Sequence, residues 1–248
     1  MDNQGFTVQT MNFSHEKGPV FYASLPCGPM AGQIGPDQKH HLISGLWDHL
    51  LTVKNPFWMS RPYVNGDAFP IQVIRVIRVI RGPLGRPQLL LGDHMGPAIS
   101  FCRSGKNLWA ALCGDDHDIG IDVAERHEFQ GKYPFHRVFH PQELKHALKT
   151  AGEDLKKAAA LLWSVKEAVA KALGCGFHLV DPLHVIVYPS IDGATGGTAK
   201  ENGSYDFPVE LSEKAVKRFP MAQDRSLRVS SVCRGKTWLS IALLSRQS

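Results

Sequence analysis

The segment 155–173 constrains the fold of this chain most, because its apolar residues recur at the spacing of an amphipathic helix. They form one wide stripe, which consists of Ala158, Leu161, Leu162, Val165, Ala168, Val169, Ala172 and Leu173. Gly174 follows directly, and glycine is the usual residue just beyond the end of a helix. The pattern therefore predicts a helix over 155–173 with one buried face.

The other face of this helix carries Trp163, Glu167 and Lys171, which recur every four residues and therefore lie one above another. Lys166 lies beside them. A glutamate four residues before a lysine is common on solvated helices and stabilises them by only about 0.3–0.5 kcal/mol. The spacing alone therefore favours a surface ion pair over a functional site.

The composition is that of a globular protein, because 43% of the 248 residues are hydrophobic and 21% are charged. No helix-like apolar run approaches the roughly 18 residues of a membrane span, and the N-terminus has no secretory-signal pattern. No C-x-x-C pair occurs among the five cysteines, which are Cys27, Cys102, Cys113, Cys175 and Cys233. We therefore expect a cytoplasmic protein without structural disulfides or membrane association.

The order of predicted elements is typical of an α+β protein. They are helices over 41–53, 141–149 and 155–173, strands over 72–81, 98–101, 108–113, 119–123 and 183–188, a polar loop over 190–206, and a closing hairpin over 226–233 and 237–244. Strands and a helix recur in each half of the chain, so we predict two similar-sized units, 1–115 and 116–248.

The stretch DDHDIGIDVAE at 115–125 concentrates acidic residues in a chain whose net charge is +5. Gly120 permits a close backbone approach, and strand alternation places Asp122 on the face opposite Ile121 and Val123. One carboxylate on a strand is usually solvated. If Asp122 faces Glu167 instead, the two carboxylates suit Mg²⁺, whose remaining ligands are phosphate and water oxygens.

Two motifs resemble those of the 4′-phosphopantetheinyl transferases, in the larger surfactin-synthetase-activating class. They are IGID at 119–122 and WSVKEAVAK at 163–171, which match a GID motif followed about 40 residues later by WSxKEAxxK. Three shorter stretches strengthen the resemblance: GRP at 85–87, FCRSG at 101–105 and RVFHPQE at 137–143. The resemblance extends from about residue 82 to 188.

The resemblance implies a holo-[acyl-carrier-protein] synthase activity, in which phosphopantetheine moves from coenzyme A to a serine of an apo acyl or peptidyl carrier protein. It also implies two similar α/β halves related by a pseudo-twofold, with the active site in the cleft between them. The N-terminal half, 1–115, would carry the loops that contact coenzyme A. The C-terminal half, 116–248, would carry the magnesium and catalytic motifs, in a protein that we expect to be a monomer.

The resemblance assigns roles to individual residues. Asp122 and Glu167 would hold Mg²⁺, or Mn²⁺ in its place, and Glu167 or a water would take the serine proton. Lys171 would bind the phosphates and stabilise the leaving group, with Lys166 as a weaker candidate for that role. The residues expected to bind coenzyme A in addition to these lysines are Arg86, Arg103 and Ser104.

Two positions depart from the family pattern. Ala124 stands where many members have a second acid, which a water would replace, or Glu125 if the strand bulges; we favour water. Arg103 stands where members usually have histidine, so phosphate binding should persist without the pH dependence of an imidazole.

Two other functions fit parts of the sequence. The RVIRVIR run and the pI near 9.0 are compatible with a nucleic-acid-binding module, but no zinc-finger spacing or RRM motif accompanies them. A metal-dependent phosphohydrolase would use the histidines at positions 127, 136, 140 and 146. His136 and His140 have helical spacing, but Pro141 would interrupt a shared helix. We therefore expect no nucleic-acid partner.

The net charge of +5 would attract an acidic carrier protein to this chain. The basic residues proposed to contact it are Arg137, Lys145 and Lys149, around the helix predicted over 141–149.

Overall fold

The computed structural model describes residues 6–13, 18–27, 36–53, 77–92, 94–114, 117–131, 133–189 and 203–246. Its internal contacts divide the chain into two compact units, Met1–His117 and Asp118–Ser248. Both contain helices and sheets, so the mixed α/β class is confirmed. The pseudo-twofold relation between similar halves stays a prediction.

Within the residues that the structure describes, the first unit contains a four-stranded sheet, a three-stranded sheet and one helix. Its strands are β1 (Gln9–Met11), β2 (Val20–Pro26), β3 (Ile77–Arg81), β4 (Pro87–Leu91), β5 (His94–Met95), β6 (Ala98–Ser104) and β7 (Asn107–Cys113), and its helix is α1 (Pro36–Thr52). The sheet orders are β1-β2-β7-β6 and β3-β4-β5. The predicted helix over 41–53 is confirmed but begins earlier, at Pro36.

The core of the first unit lies between α1 and the four-stranded sheet. Leu42, Leu46 and Leu50 recur along one face of α1 and are buried, together with Trp47 between them. They pack with Phe21 and its neighbours in β2 and β7. The β6–β7 hairpin of this layer carries Arg103 and Ser104, and the β3–β4 hairpin of the three-stranded sheet carries Arg86.

The second unit contains a five-stranded sheet and three α-helices within its described residues. The strands are β8 (His117–Glu125), β9 (Val185–Val187), β10 (Ser204–Leu211), β11 (Arg225–Arg234) and β12 (Thr237–Arg246), and the helices are α2 (Pro141–Thr150), α3 (Leu155–Ala172) and α4 (Glu213–Arg218). The strand order is β8-β12-β11-β10-β9. Helix α3 packs mainly on β12 and α2.

Helix α3 begins and ends as its sequence predicts. The Asp154 carboxylate accepts hydrogen bonds from the backbone N–H groups of Lys156 (3.0 Å) and Lys157 (3.1 Å), which caps the helix. Gly174 follows the last turn in the left-handed region, at φ 84°. The predicted helix over 155–173 is therefore confirmed, and its apolar stripe is buried.

Gly120 brings β8 against α3. A Cβ at this position would lie 1.8 Å from the carbonyl oxygen of Ala168 and 2.7 Å from the backbone nitrogen of Ala172. Only glycine therefore allows the strand and the helix backbone to approach so closely. The expected close approach is confirmed, and it places Asp122, two residues further along β8, beside the last turns of α3.

A ladder of buried serines also ties α3 to the sheet. The Oγ atoms of Ser164 and Ser240 on β12 are hydrogen-bonded at 2.7 Å. The Oγ of Ser240 is also hydrogen-bonded to that of Ser231 on β11, again at 2.7 Å. These hydroxyls satisfy one another inside an apolar layer. They fix the rotation of α3 about its axis and therefore the face that Glu167 and Lys171 present.

Other predictions were right in part. The strand predicted over 183–188 is shorter, Val185–Val187, because Pro182–His184 forms a 3-10 turn before it. The loop prediction over 190–206 is wrong from Ser204 onward, where β10 begins and pairs with β11. Residues 190–202 of that loop and 72–76 of the period-three run lie outside the described residues. None of the described helices is long and apolar enough to cross a membrane.

Candidate functional site

The carboxylate of Asp122 lies beside the ammonium group of Lys171. The distance from Oδ1 to Nζ is 2.7 Å, and the same Nζ donates to the carbonyl oxygen of Ile121 at 3.1 Å. Asp122 is only 8% exposed. Strand β8 and the C-terminal turn of α3 therefore bring together two residues that are 49 positions apart in the sequence.

Burial raises the pKa of Asp122 above its ordinary value. The positive charge of Lys171, its hydrogen bond and the backbone N–H of Val123 offset part of this rise. Burial therefore disfavours the ionised form of Asp122, and the neighbouring ammonium group of Lys171 partly stabilises it.

Glu167 lies one helical turn before Lys171 and is half-buried. Among the described residues it has neither a hydrogen-bond donor nor an ion-pair partner within contact distance. Burial raises the pKa of its carboxyl group, the charge of Asp122 raises it further, and the charges of Lys171 and His178 lower it. Glu167 is thus a desolvated acid close enough to Asp122 for the two charges to repel.

Three residues near these carboxylates were missed by sequence reasoning. Burial raises the pKa of Glu128, and the charge of Asp122 raises it further. Burial, with the charges of Glu128 and Glu167, raises the pKa of Tyr133 to about 12, so its hydroxyl remains protonated. His178 follows α3 and reaches Glu167 electrostatically. Glu128, Tyr133 and His178 belong to no recognised sequence motif, although Glu128 is only six positions after Asp122.

Ala124 is buried, at 1% exposed, and the side chain of Glu125 is directed into its own turn. Its Oε2 lies 3.1 Å from Nδ1 of His127 and its carboxylate accepts the N–H of Glu128, while the backbone N–H of Glu125 donates to Oε1 of Glu128 at 2.7 Å. The conformation described for Glu125 does not favour its use in place of the missing acid.

Lys166 is fully buried and lies away from Glu167. Its Nζ donates to the carboxylate of Glu143 at 2.9 Å and to the carbonyl oxygens of Pro182 at 2.8 Å and Val185 at 2.7 Å. Burial lowers the pKa of Lys166, and the charge of Glu143 offsets part of that effect. With three acceptors around its three protons, this ammonium is not accessible to a phosphate, which disfavours the predicted contact with coenzyme A.

The other residues expected to bind coenzyme A lie in the first unit. Arg86 follows the 3-10 turn Pro83–Gly85 and is half-buried. Arg103 is exposed near the end of β6, and Ser104 is buried next to it, opposite Asn107 of β7. Each lies at the tip of a hairpin, where loops commonly present binding residues.

Two histidines of the alternative phosphohydrolase function, His127 and His140, make separate contacts. His127 pairs with Glu125, and Nε2 of His140 contacts the carbonyl oxygen of Leu183 at 2.9 Å. His140 also precedes α2, so Pro141 begins a helix rather than interrupting one. In the part of the chain that the structure describes, no three His, Cys, Asp or Glu side chains are arranged to hold a metal ion.

Residues 118–223 match the sequence model of the 4′-phosphopantetheinyl transferase superfamily, ACPS. The match includes both the strand with Asp122 and the helix with Glu167 and Lys171. It covers less than half of the chain, and no curated protein matches the chain significantly.

Parts of the chain are also similar to solved structures. An ACPS–CoA complex from Chronobacterium ammoniagenes is 23% identical, with 53% of this chain and 98% of that chain covered and a TM-score of 0.41. The apo-ACPS structure of the same organism is also 23% identical, with the same coverage and a TM-score of 0.40. The holo-[acyl-carrier-protein] synthase of Thermotoga maritima is 19% identical, with 52% and 64% covered and a TM-score of 0.34.

Proposed function

We propose that this chain is a 4′-phosphopantetheinyl transferase of the larger, surfactin-synthetase-activating class. The observation that carries the proposal is the meeting of Asp122, Glu167 and Lys171 inside the segment that matches the superfamily. Asp122 belongs to the first of the two sequence motifs, and Glu167 and Lys171 belong to the second. The oxygen of a carrier-protein serine would attack a phosphorus of the coenzyme A pyrophosphate, and 3′,5′-adenosine bisphosphate would leave.

The carboxylate pair fits a hard divalent cation. Asp122 and Glu167 are desolvated, the charge of Asp122 raises the pKa of Glu167, and Glu167 has no hydrogen-bond donor among the described residues. Two carboxylates are a sufficient protein contribution for Mg²⁺, or for Mn²⁺, when substrate phosphates and waters complete the coordination. Lewis-acid polarisation of the pyrophosphate is the chemistry that the bound ion supplies.

The side chains of this chain would perform the remaining tasks. Glu167, whose pKa is raised, is suited to accept the serine proton directly or through a water. Lys171 orients Asp122 through its 2.7 Å contact and would stabilise the negative charge that develops on the phosphate oxygens. Water, rather than Glu125, would occupy the position left by Ala124, because Glu125 is engaged with His127 and Glu128.

Coenzyme A and an apo carrier protein would be the two substrates. Arg86 and Arg103 would bind phosphate oxygens through their guanidinium groups, with Ser104 beside Arg103. Arg137, Lys145 and Lys149 are exposed and would face the acidic surface of an acyl or peptidyl carrier protein. We further propose a cytoplasmic, monomeric enzyme.

Intact-mass spectrometry tests the proposal. Purified protein, coenzyme A and Mg²⁺ are incubated with an apo acyl carrier protein and, separately, with an apo peptidyl carrier protein. We expect the carrier to gain the mass of one phosphopantetheine group, and EDTA to abolish the gain. No gain with either carrier, combined with no calorimetric binding of coenzyme A, would contradict the proposal.

A further inference from the structure

A pocket of the C-terminal unit lies between the segment that follows α3 and helix α4. It is open to solvent and has a volume of about 520 Å³, within the range of small-molecule sites. Its walls come from the 3-10 turns Gly176–His178 and Pro182–His184 and from helix α4. None of the residues assigned to transfer lines it.

The lining combines apolar and cationic side chains. Phe177, Leu179 and Ala215 contribute apolar surface. Lys214 and Arg218 lie one turn apart on α4 and therefore extend from the same face of that helix. His178 and His184 add imidazole nitrogens, and Asp181 is the one carboxylate in the lining.

Lys214 and Arg218 differ from Lys217, the third cation of α4. Nζ of Lys217 pairs with Oε1 of Glu213 at 2.6 Å on the exposed surface. Within the described part of the chain, neither Lys214 nor Arg218 pairs with a carboxylate, although Asp181 lines the same pocket. The charge of the pocket is therefore not balanced by the protein, which favours an anionic occupant.

The walls of the pocket are held in place by hydrogen bonds. Lys166 binds the carbonyl oxygens of Pro182 and Val185, and the carboxylate of Asp181 accepts the N–H of Leu183 at 2.9 Å. The N–H of Ser212 donates to the carbonyl oxygen of His184 at 2.9 Å, which ties the start of α4 to the opposite wall. Because its walls are fixed, the pocket can bind a ligand without first being ordered.

One wall also contacts α3. The ring of Phe177 packs against Trp163 with centroids 5.2 Å apart, and the next residue, His178, acts electrostatically on Glu167. A ligand on Phe177 would therefore change the surroundings of the Trp163 indole.

We propose that this pocket binds an organic phosphate monoester, with its phosphate between Lys214 and Arg218 and its aromatic or apolar group against Phe177. A guanidinium binds two phosphate oxygens at once, and an adjacent ammonium adds a second charge. A phosphate dianion suits two unpaired cations better than a singly charged carboxylate does. The pocket is not lined by Asp122, Glu167 or Lys171, to which the proposed transfer is assigned.

Phenyl phosphate is the test ligand, because it joins a phosphate to an aromatic ring. Titration into the full-length, ¹⁵N-labelled protein should shift the amide signals of 177–184 and 213–218 and the indole signal of Trp163, saturating at millimolar concentration. Phenol and inorganic phosphate should each bind more weakly. The Lys214→Ala/Arg218→Ala variant should weaken binding about 10-fold or more, because two charge-assisted contacts are lost.

Lys217→Ala is the matched control, since Lys217 lies on the same helix and is exposed. It should leave the affinity for phenyl phosphate unchanged. Equal weakening by Lys217→Ala would show attraction by surface charge alone and would overturn the proposal. Absence of saturable shifts in the pocket would also overturn it. All three substituted side chains are exposed, so the variants should fold.

Competition identifies the source of the phosphate. If coenzyme A displaces phenyl phosphate and dephospho-coenzyme A does not, the pocket takes the 3′-phosphate of coenzyme A. If neither displaces it, the pocket takes a separate organic phosphate; both results support the phosphate site. The binding measurement needs no carrier protein, so a failure of the transfer assay leaves it interpretable.

Discussion

At the scale of single residues, the fold disfavours the ionised forms of the Asp122 and Glu167 carboxyl groups. Burial raises the pKa of both carboxyl groups, and the charge of Asp122 raises that of Glu167 further. Lys171 offsets part of this cost. Groups held in such conditions commonly mark functional sites, because a cation or a proton relieves the cost when the site works.

We predict that Glu167→Gln stabilises the metal-free protein at neutral pH. A carboxyl whose pKa is raised by folding contributes stability below its unfolded pKa and loses that contribution as the pH rises through its folded pKa. The wild type therefore carries a penalty at pH 7 that the amide avoids. Thermal unfolding should show a Tm a few degrees higher for the variant, and the difference should vanish below about pH 4.

Metal binding should stabilise the wild type more than Glu167→Gln and so oppose this difference in Tm. Mg²⁺ added with coenzyme A should raise the Tm of the wild type more than that of Glu167→Gln, because ligands that bind only the folded state stabilise it by mass action. An equal rise in both proteins would contradict the assignment of Glu167 as a metal ligand.

Lys171→Ala should lower kcat by about 100-fold or more while weakening coenzyme A binding much less, since the ammonium acts on charge that develops in the transition state. Steady-state kinetics and calorimetry separate the two quantities. Lys156→Ala is the matched control, because Lys156 is exposed at the start of the same helix. A loss in coenzyme A affinity as large as the loss in kcat would instead indicate ground-state binding.

At the scale of elements, the contact of β8 with α3 at Gly120 holds the site together. Gly120→Ala should destabilise the protein by about 3 kcal/mol or more, because the new Cβ would meet the backbone of Ala168 and Ala172. Urea unfolding measures the loss. Gly235→Ala should cost only about 1 kcal/mol, since its Cβ meets open space and only its φ of 62° is unfavourable. Similar losses for both would contradict the close-approach argument.

The buried pair of Lys166 and Glu143 fastens α3 to α2 and β9. Glu143 accepts hydrogen bonds from the backbone of His140 at 2.8 Å and Val187 at 2.7 Å as well as from Lys166. Lys166→Met would leave this carboxylate buried without its cation, at a cost of about 3–5 kcal/mol. Denaturant unfolding should show that loss, and Lys156→Met should stay close to the wild type. A loss below about 1 kcal/mol would show that Glu143 does not depend on Lys166.

At the scale of the whole molecule, the sequence predicts α1, α2, α3 and the closing hairpin because their patterns are local, whereas the six-residue helix α4 was not predicted. The apolar period of 155–173 and its glycine stop define α3, and Arg225–Arg234 pairs with Thr237–Arg246 around a short turn. Strand β10 was missed because its pairing with β11 is not local and its first residues continue a polar stretch.

The candidate site was predictable only where a motif existed. Asp122, Glu167 and Lys171 belong to recognisable motifs, whereas Glu128, Tyr133 and His178 approach through the fold and carry no pattern. Lys166 is the opposite case, in which a motif residue lies away from the carboxylate pair. It stands next to Glu167 in the sequence, but the helical rotation of about 100° per residue turns it into the core, where Glu143 neutralises it.

The central claim is that Asp122 and Glu167 together support metal-dependent phosphopantetheinyl transfer. The most direct test is the initial rate of carrier modification, followed by intact mass, for the wild type, Asp122→Asn, Glu167→Gln and Glu213→Gln. Glu213 is an exposed acid in the same unit and serves as the control. We predict that the wild type and Glu213→Gln transfer at similar rates and that the two site variants lose transfer while remaining folded. Near-wild-type transfer by either site variant would contradict the claim.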